Sequence, residues 1–517
     1  MKAIYRVKNS ENKTVGFILD NKKYIPYYSV LYNISLIENL TSDSNGVIKS
    51  KKGTLPVSYI KDINFNKYKD LCRKNPLRRD VQSELEKWKQ NWSNYVLYLT
   101  GARQTGKTTE LTKFAYKNYE QVIYINLAED DCLKNFEETV LTNSLFFGMI
   151  NYCRKAGLED FSNKSSTLLI IDEIQISPKV YNKIRALQSE LNCHIAITGS
   201  YLGRVLKSEY FKPAGNMYEV EMLSLSFREF CRAFGLEELL MSIDIYGNSD
   251  DMDYKKLTAA YEVYRDIGGY PAVVSEYKKT KNKENCYTII KTIIDRFAEE
   301  SAPNYEDDKC EIIFNNVYKA AIKNMASEKK GTSSRDIQDI TSFVKTDTKE
   351  HVSRYEINRA VTWLKYSKIL GSCDLYNQGK VTDLLNERRF YFMDCGIATY
   401  NSRTTPIDNE TIRGIIAENF VYTELYRVYK KGILKGDKPC CSVCGNYELD
   451  FMLVDRNDKK YGIEVKSKSS SKHASLDYYL KEKFIDVAYL AEISRGGIGK
   501  TIKTIPIYTV GCRFPYN

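Results

Sequence analysis

Asn94 to Ala115 read NYVLYLTGARQTGKTTELTKFA: an apolar run, a turn bounded by two glycines, then residues that favour a helix. A strand running straight into Gly101-Ala102-Arg103-Gln104-Thr105-Gly106-Lys107-Thr108 and on into a helix is the spelling and the context of a phosphate-binding loop. Gly101 and Gly106 allow a turn tight enough for the N–H groups of Arg103, Gln104 and Thr105 to point inward at phosphate oxygens. The positive end of the following helix, with Thr109 in its first turn, adds to that field. Lys107 is placed to reach the β- and γ-phosphates, and Thr108 to give a hydroxyl to Mg²⁺.

Ser166 to Gln175, STLLIIDEIQ, carry a second and independent signal. A continuous apolar run ending in acids is how a strand buried on both faces presents carboxylates at its C-terminal edge. Asp172 is expected in the Mg²⁺ shell and Glu173 beside the attacking water, which implies hydrolysis beyond binding. The next strand, HIAITGS (His194–Ser200), ends in Thr198 and Ser200, which either sense the γ-phosphate or simply close a strand with small residues.

Together these three elements resemble the AAA-type ATPases of the archaeal and bacterial branch. The stretch MYEVEMLSLSFREF (Met217–Phe230) followed by GGYP (Gly268–Pro271) narrows the resemblance to that branch. Members of it carry a Gly-Arg pair before the first of these segments, where this chain has Gly215-Asn216, so Arg204 and Arg228 become the candidates for an arginine directed at the transition state.

The C-terminal block sets acids where paired strands bring them together. If YELDFMLVD (Tyr447–Asp455) and YGIEVKSK (Tyr461–Lys468) form an antiparallel hairpin, Asp450 and Glu464 fall almost opposite one another, about 5 Å apart, with Lys466 on the same face. Like charges so placed imply a ligand that offsets them, and a divalent cation is the simplest. Lys466 would then stabilise a developing negative charge. Glu418, in RGIIAENFVYTELYR, lies three residues from both Ile415 and Val421, on or beside the apolar side of its helix, where acids rarely stay unpaired. Helix acid, strand acid, then acid-X-lysine resembles the restriction-endonuclease-like nucleases. With YFMDCGIATYN (Tyr391–Asn401), the linked order also resembles the C-terminal domain of uncharacterised function that accompanies this ATPase branch. A plainer reading keeps Asp450 as a salt-bridge partner of Lys466, and Glu464 as an edge charge that deters aggregation.

Length and composition frame these motifs. At 517 residues one core is too few, and 43% hydrophobic with 28% charged residues is ordinary for a soluble protein. No apolar run is long enough to span a membrane, and the charged MKAIYRVKNSENK start lacks a signal-peptide core, so a cytoplasmic location is expected. The 13 cysteines are scattered and read as small buried hydrophobes, although Cys441 and Cys444, beside Cys440, have the gap of a zinc knuckle without a second pair. A net charge of +11 favours a polyanionic partner without establishing one.

The expected fold is an α/β multidomain chain. It runs from a small β-rich module (1–65) through a P-loop parallel-sheet ATPase core with helical lead-in (66–223) to a helical lid (224–306). A winged-helix-like domain (307–405), whose two strand-like runs ILGSCDLY (Ile369–Tyr376) and RFYFMDCGI (Arg389–Ile397) read as the wing, and a restriction-endonuclease-like α/β domain (406–517) follow. In the winged-helix block, Arg354, Arg359, Lys365 and Lys368 mark a helix suited to phosphate contact. The function implied is ATP hydrolysis, with ATP and Mg²⁺ as cofactors, coupled to a Mg²⁺-dependent nuclease at Glu418, Asp450, Glu464 and Lys466 acting on DNA. That pairing suits defence against mobile elements, or their processing. The alternative is an ATP-controlled switch that binds DNA or a protein without cutting. ATPases of this kind often borrow a neighbour's arginine, so a homo-oligomer or protein partner is expected as well.

Overall fold

The computed structural model of the chain describes residues 4–8, 14–19, 24–26, 41–42, 47–50 and 53–56, and, from 59 to 513, all but 142–143, 159, 200–216, 302–308, 329–335, 348–351, 377–386, 437, 469–472 and 500. The chain divides into two compact units, 1–101 with 106–222, and 223–517 with 102–105.

The first unit begins with two small antiparallel sheets, β1 (Ile4–Lys8), β2 (Thr14–Leu19) and β3 (Tyr24–Pro26), then β4 (Thr41–Ser42), β5 (Val47–Ser50) and β6 (Gly53–Pro56). Its main sheet is made of β7 (Val96–Thr100), β8 (Gln121–Asn126), β9 (Thr167–Asp172), β10 (His194–Thr198) and β11 (Met217–Glu221). All five are parallel, in the order β11-β7-β10-β9-β8.

The apolar runs are continuous because both faces of this sheet are covered. Tyr98, Ile123, Leu169, Ile171 and Ile195 pack on one side with Phe136, Met149 and Ile184, the last from helix α3 (Pro178–Glu190). Leu97, Leu99, Leu168, Ile170 and Ala196 alternate to the other side. There they meet Leu85 and Trp88 of α1 (Val81–Asn91) and Leu111 and Phe114 of α2 (Lys107–Asn118). Each such side chain removed from water contributes about 1.5–3 kcal/mol, so the period-two alternation fixes which face every residue takes. One strand, β10, separates the strand feeding the glycine-rich turn from the strand ending in Asp172.

In the second unit helices Asp251–Ile267 and Pro271–Thr280 stop and start around Gly268, whose φ of 72° suits glycine, and Pro271. Helix α4 (Arg354–Tyr366) opens with a reciprocal cap: Ser353 Oγ accepts from the N–H of Glu356, and the Glu356 carboxylate accepts from the N–H of Ser353. An eight-stranded sheet follows, ordered β13 (Glu387–Phe392), β12 (Leu370–Leu375), β14 (Cys440–Cys444), β15 (Tyr447–Val454), β16 (Lys460–Lys466), β17 (Val487–Glu492), β19 (Ile502–Pro506), β18 (Gly497–Ile498). The helix α5 (Asn409–Lys430), buried along most of its length, carries Glu418.

This sheet corrects one expectation. The two strands read as a wing, β12 and β13, do pair antiparallel, but β12 continues through Asp374↔Cys440 and Leu375↔Cys441 into β14. They therefore belong to the sheet of the C-terminal block, and the boundary placed at 405 runs through one hydrogen-bonded layer. A two-stranded ribbon leaves an unpaired edge, and β14 satisfies it. The separation in sequence hid that pairing. Among the described residues no helix is long and apolar enough to cross a membrane.

Candidate functional site

The glycine-rich turn has the backbone its composition demands. Gly101 (φ 136°), Gln104 (φ 59°) and Gly106 (φ 94°) all lie at positive φ. A Cβ at Gly101 would sit 2.0 Å from the carbonyl oxygen of Met222, which follows β11 and bonds through its N–H to Thr100. Thr105 is buried, its hydroxyl donating to the Ala102 carbonyl at 2.9 Å, and Arg103 lies in the same turn. Gly106 is the N-cap of α2, so Lys107, Thr108 and Thr109 form its first turn. The Lys107 ammonium donates to the Gly101 carbonyl at 3.0 Å.

Thr108 donates its hydroxyl to Asp172 Oδ2 at 2.7 Å, which brings together the two residues expected to share a cation. The set fits Mg²⁺: a hydroxyl and a carboxylate oxygen side by side are hard ligands. Asp172 accepts further from Tyr124, also at 2.7 Å and on the same oxygen, and its Oδ1 accepts from the N–H of Glu173. All three donors are neutral, so the carboxylate keeps its charge for a metal. Burial, reinforced by the hydrogen bond to Asp172, pushes the Tyr124 phenol far up, and it stays a donor.

Glu173 sits in the left-handed region at φ 53°, a conformation that costs a non-glycine residue roughly 1–3 kcal/mol. Its carboxylate is held by the side-chain amide of Gln175. Gly199 makes room for Gln175, because a Cβ there would meet Gln175 Oε1 at 2.1 Å. The Thr198 hydroxyl donates to the Leu99 carbonyl at 3.0 Å inside the sheet. Ser200, Arg204, Gly215 and Asn216 lie outside the described residues. Arg228 bonds through Nε to Glu237 at 2.9 Å. Tyr124 and Gln175 escaped the sequence reading, since only the placement of β8 beside β9 brings Tyr124 to Asp172.

In the C-terminal sheet β15 pairs antiparallel with β16 from Phe451↔Ile463 to Val454↔Lys460, and Asp450 and Glu464 lie just beyond the last paired residues. Asp450 Oδ2 accepts from the N–H of Val465 at 2.7 Å. Lys466 Nζ lies 2.6 Å from Glu464 Oε1, while Glu464 Oε2 is buried without a hydrogen-bond partner. Burial holds the Glu464 carboxyl above its ordinary 4.5, an effect that Lys466 only partly offsets. Burial pulls Lys466 down, yet Glu464, Asp450 and Glu418 together hold it above its ordinary value.

The unforeseen residue is Arg389 on β13. Its guanidinium, 4% exposed, donates to Glu418 Oε1 at 3.0 Å, reaches Asp450 Oδ1 at 3.5 Å and contacts Glu448. Tyr391 donates to the same oxygen of Glu418. A fixed arginine thus bridges three carboxylates, Glu418, Glu448 and Asp450, beside the Asp450–Glu464 pair expected to hold a cation. Among the described residues no three His, Cys, Asp or Glu side chains converge so as to hold one, the Cys440–Cys444 strand included. A cleft of about 490 Å³ remains, lined by Arg389, Glu418, Glu448, Asp450 and Lys466 among others. Arg389 was missed because its strand is separated in sequence from the acids it meets.

Comparison with known proteins bears on both ends. Residues 93–231 match the family of AAA domains. That segment is an AAA-type P-loop ATPase domain by family match and by sheet order, and such domains bind nucleotide, usually with Mg²⁺. Residues 258–408 match a domain of unknown function, DUF8612. An uncharacterised protein of Haemophilus influenzae is 24% identical over 211 residues, 39% of this chain and 45% of that protein, so the chain spans about half the length of this relative. Among solved structures, a Walker-type ATPase of Pyrococcus abyssi aligns at 15% identity and TM-score 0.39 over 63% of this chain and 96% of that one. The ORC1 protein of Aeropyrum pernix, determined in complex with DNA, aligns at 14% and 0.28 over 66% and 93%. Scores this low leave the ATPase assignment resting on the family match, the sheet order and the loop.

Proposed function

We propose that this chain is an ATP-hydrolysing switch whose C-terminal block binds DNA or a protein partner without cutting it. The observation that carries this reading is Arg389, which occupies the position a metal would need among Glu418, Glu448 and Asp450. Like charges crowded at a buried site need a counter-charge, and this chain supplies its own.

At the phosphate loop, backbone N–H groups from Gly101 to Thr108 bind and orient the triphosphate, and Lys107 exchanges the Gly101 carbonyl for phosphate oxygens. Thr108 and Asp172 would hold Mg²⁺, which would supply positive charge to offset that of the phosphates. Glu173 orients the attacking water and takes its proton, with Gln175 fixing the carboxylate beforehand. Because Arg228 is engaged by Glu237, an arginine for the transition state would come from a neighbouring copy or from the 200–216 segment. Hydrolysis would then change the affinity for the partner. We place this activity in the cytoplasm.

The cutting alternative has one observation in its favour: Asp450 and Lys466 line the same cleft beside the orphaned oxygen of Glu464. Incubating the full chain with supercoiled, linear and single-stranded DNA in Mg²⁺, with and without ATP, separates the two readings. The switch reading expects ATP turnover and intact DNA. Cleavage that disappears in Lys466→Ala would overturn it.

A further inference from the structure

Three donors meet the carboxylate of Asp172, and they come from three separate places in the chain. Oδ1 accepts from the N–H of Glu173 at 2.8 Å, while Oδ2 accepts from Thr108 and from Tyr124, both at 2.7 Å. A carboxylate oxygen offers about two lone-pair directions, so Oδ2 is filled by the two hydroxyls. Thr108 belongs to the first turn of α2, as the phosphate loop requires. Tyr124 has no such reason to be there. It lies on β8, the last strand in the order of the sheet, where Asn126 pairs with Asp172 and Tyr124 with Ile170. The period of two puts Tyr124 on the face that Asp172 takes, two residues back, and the length of the phenol spans that offset.

Packing does not account for a tyrosine at this position. On β8 the side chains of Ile123 and Ile125 are buried in one face of the sheet, and Val122 packs against the other. The Tyr124 ring stays 38% exposed, while its hydroxyl reaches Asp172. Strand propensity favours any aromatic here and does not ask for a hydroxyl. Burial and the bond to Asp172 keep the phenol protonated, so it donates to the carboxylate without adding charge. The N–H of Glu173 at one oxygen and the phenol at the other clamp the carboxylate at both ends, which stops it from turning and keeps Oδ2 directed at Thr108.

We infer that Tyr124 is a positioning residue whose hydroxyl holds Asp172 in the orientation that binds a divalent cation, and so sets affinity for the cation separately from affinity for the nucleotide. Partners that hydrogen-bond a metal's ligands typically cost about ten- to a hundredfold in metal affinity when they are removed. Without the phenol, Asp172 is tied by Glu173 at Oδ1 and by Thr108 at Oδ2, and the Thr108 oxygen is itself the hard ligand expected to turn toward the cation. This deepens the ATPase reading above and rests on it for a nucleotide and a cation at the loop; the C-terminal carboxylates do not enter.

The test is a titration of Mn²⁺ into the full chain with a non-hydrolysable ATP analogue, read by electron paramagnetic resonance, beside the affinity for a fluorescent ATP analogue in EDTA. Tyr124→Phe, which removes the hydroxyl and keeps the ring, should weaken Mn²⁺ binding roughly tenfold and leave the metal-free nucleotide affinity where it was. Tyr124→Leu should match it. In turnover, the Mg²⁺ concentration that gives the half-maximal rate should rise by the same factor, more than the maximal rate falls. Mn²⁺ held by Tyr124→Phe as tightly as by the wild type, or more tightly, would overturn the inference and spare the ATPase reading. A loss seen in Tyr124→Leu and absent in Tyr124→Phe would belong to the ring and overturn it too, as would nucleotide affinity in EDTA that falls in step with that for Mn²⁺. A wild type that holds neither nucleotide nor Mn²⁺ would sink the ATPase reading together with this one.

Discussion

The two acid-bearing regions of this molecule resemble each other on paper and differ in what faces the acid. Asp172 is met by a threonine hydroxyl, a tyrosine hydroxyl and a backbone N–H, all neutral, so its charge is left for a cation. Glu418, Glu448 and Asp450 are met by a guanidinium, and Glu464 by an ammonium. A carboxylate predicts a metal only when the chain has not already supplied the counter-ion, and that depends on neighbours brought in by the fold.

The comparison breaks most visibly at Arg389. Arg389→Ala leaves buried carboxylates without their partner and should cost about 3–5 kcal/mol, read as a lower midpoint in denaturant. Mg²⁺ without nucleotide should then raise the melting temperature of the variant and leave the wild type unchanged; an equal response in both would mean the acids are open to metal already.

At the other site, Lys107→Ala should lower ATP turnover by roughly a hundred- to a thousandfold, as expected for removing a group that meets developing phosphate charge. Glu173→Gln should keep nucleotide affinity and lose about a hundredfold in turnover, the loss expected of a general base. A fall in affinity with turnover preserved would reassign Glu173 to a structural part.

The smallest effect is one of pH. Because burial raises the Glu464 carboxyl, the folded state holds its proton more tightly than the unfolded one. The stability this contributes is present below the ordinary 4.5 and is lost as pH rises through the raised value. Glu464→Gln, which keeps the neutral form throughout, should therefore gain melting temperature over the wild type as pH rises from 4.5 toward neutrality. A constant difference between the two would assign the effect to the lost contact with Lys466 alone.

Much of this was legible in the sequence where the chemistry is local. The strand, loop and helix around Lys107 are contiguous, so spacing alone places the glycines, and the apolar run ending at Asp172 announces a strand buried on both sides. The antiparallel pairing of β15 with β16 followed from a short hairpin and its period of two. What was hidden depends on contacts between distant segments. Tyr124 meets Asp172 only because β8 lies beside β9, Gln175 needs the space left by Gly199, and the wing strands join a sheet whose other members come much later in the chain. Arg389 reads in the sequence as one more basic residue of a basic protein, and its meaning comes entirely from the acids folded around it.

Counting bound Mn²⁺ by electron paramagnetic resonance, on the full chain with a non-hydrolysable ATP analogue, tests the central contrast most directly. One ion per chain, lost in Thr108→Ala and untouched by Asp450→Asn, is the predicted result. A second ion that survives Thr108→Ala and disappears in Asp450→Asn would contradict it.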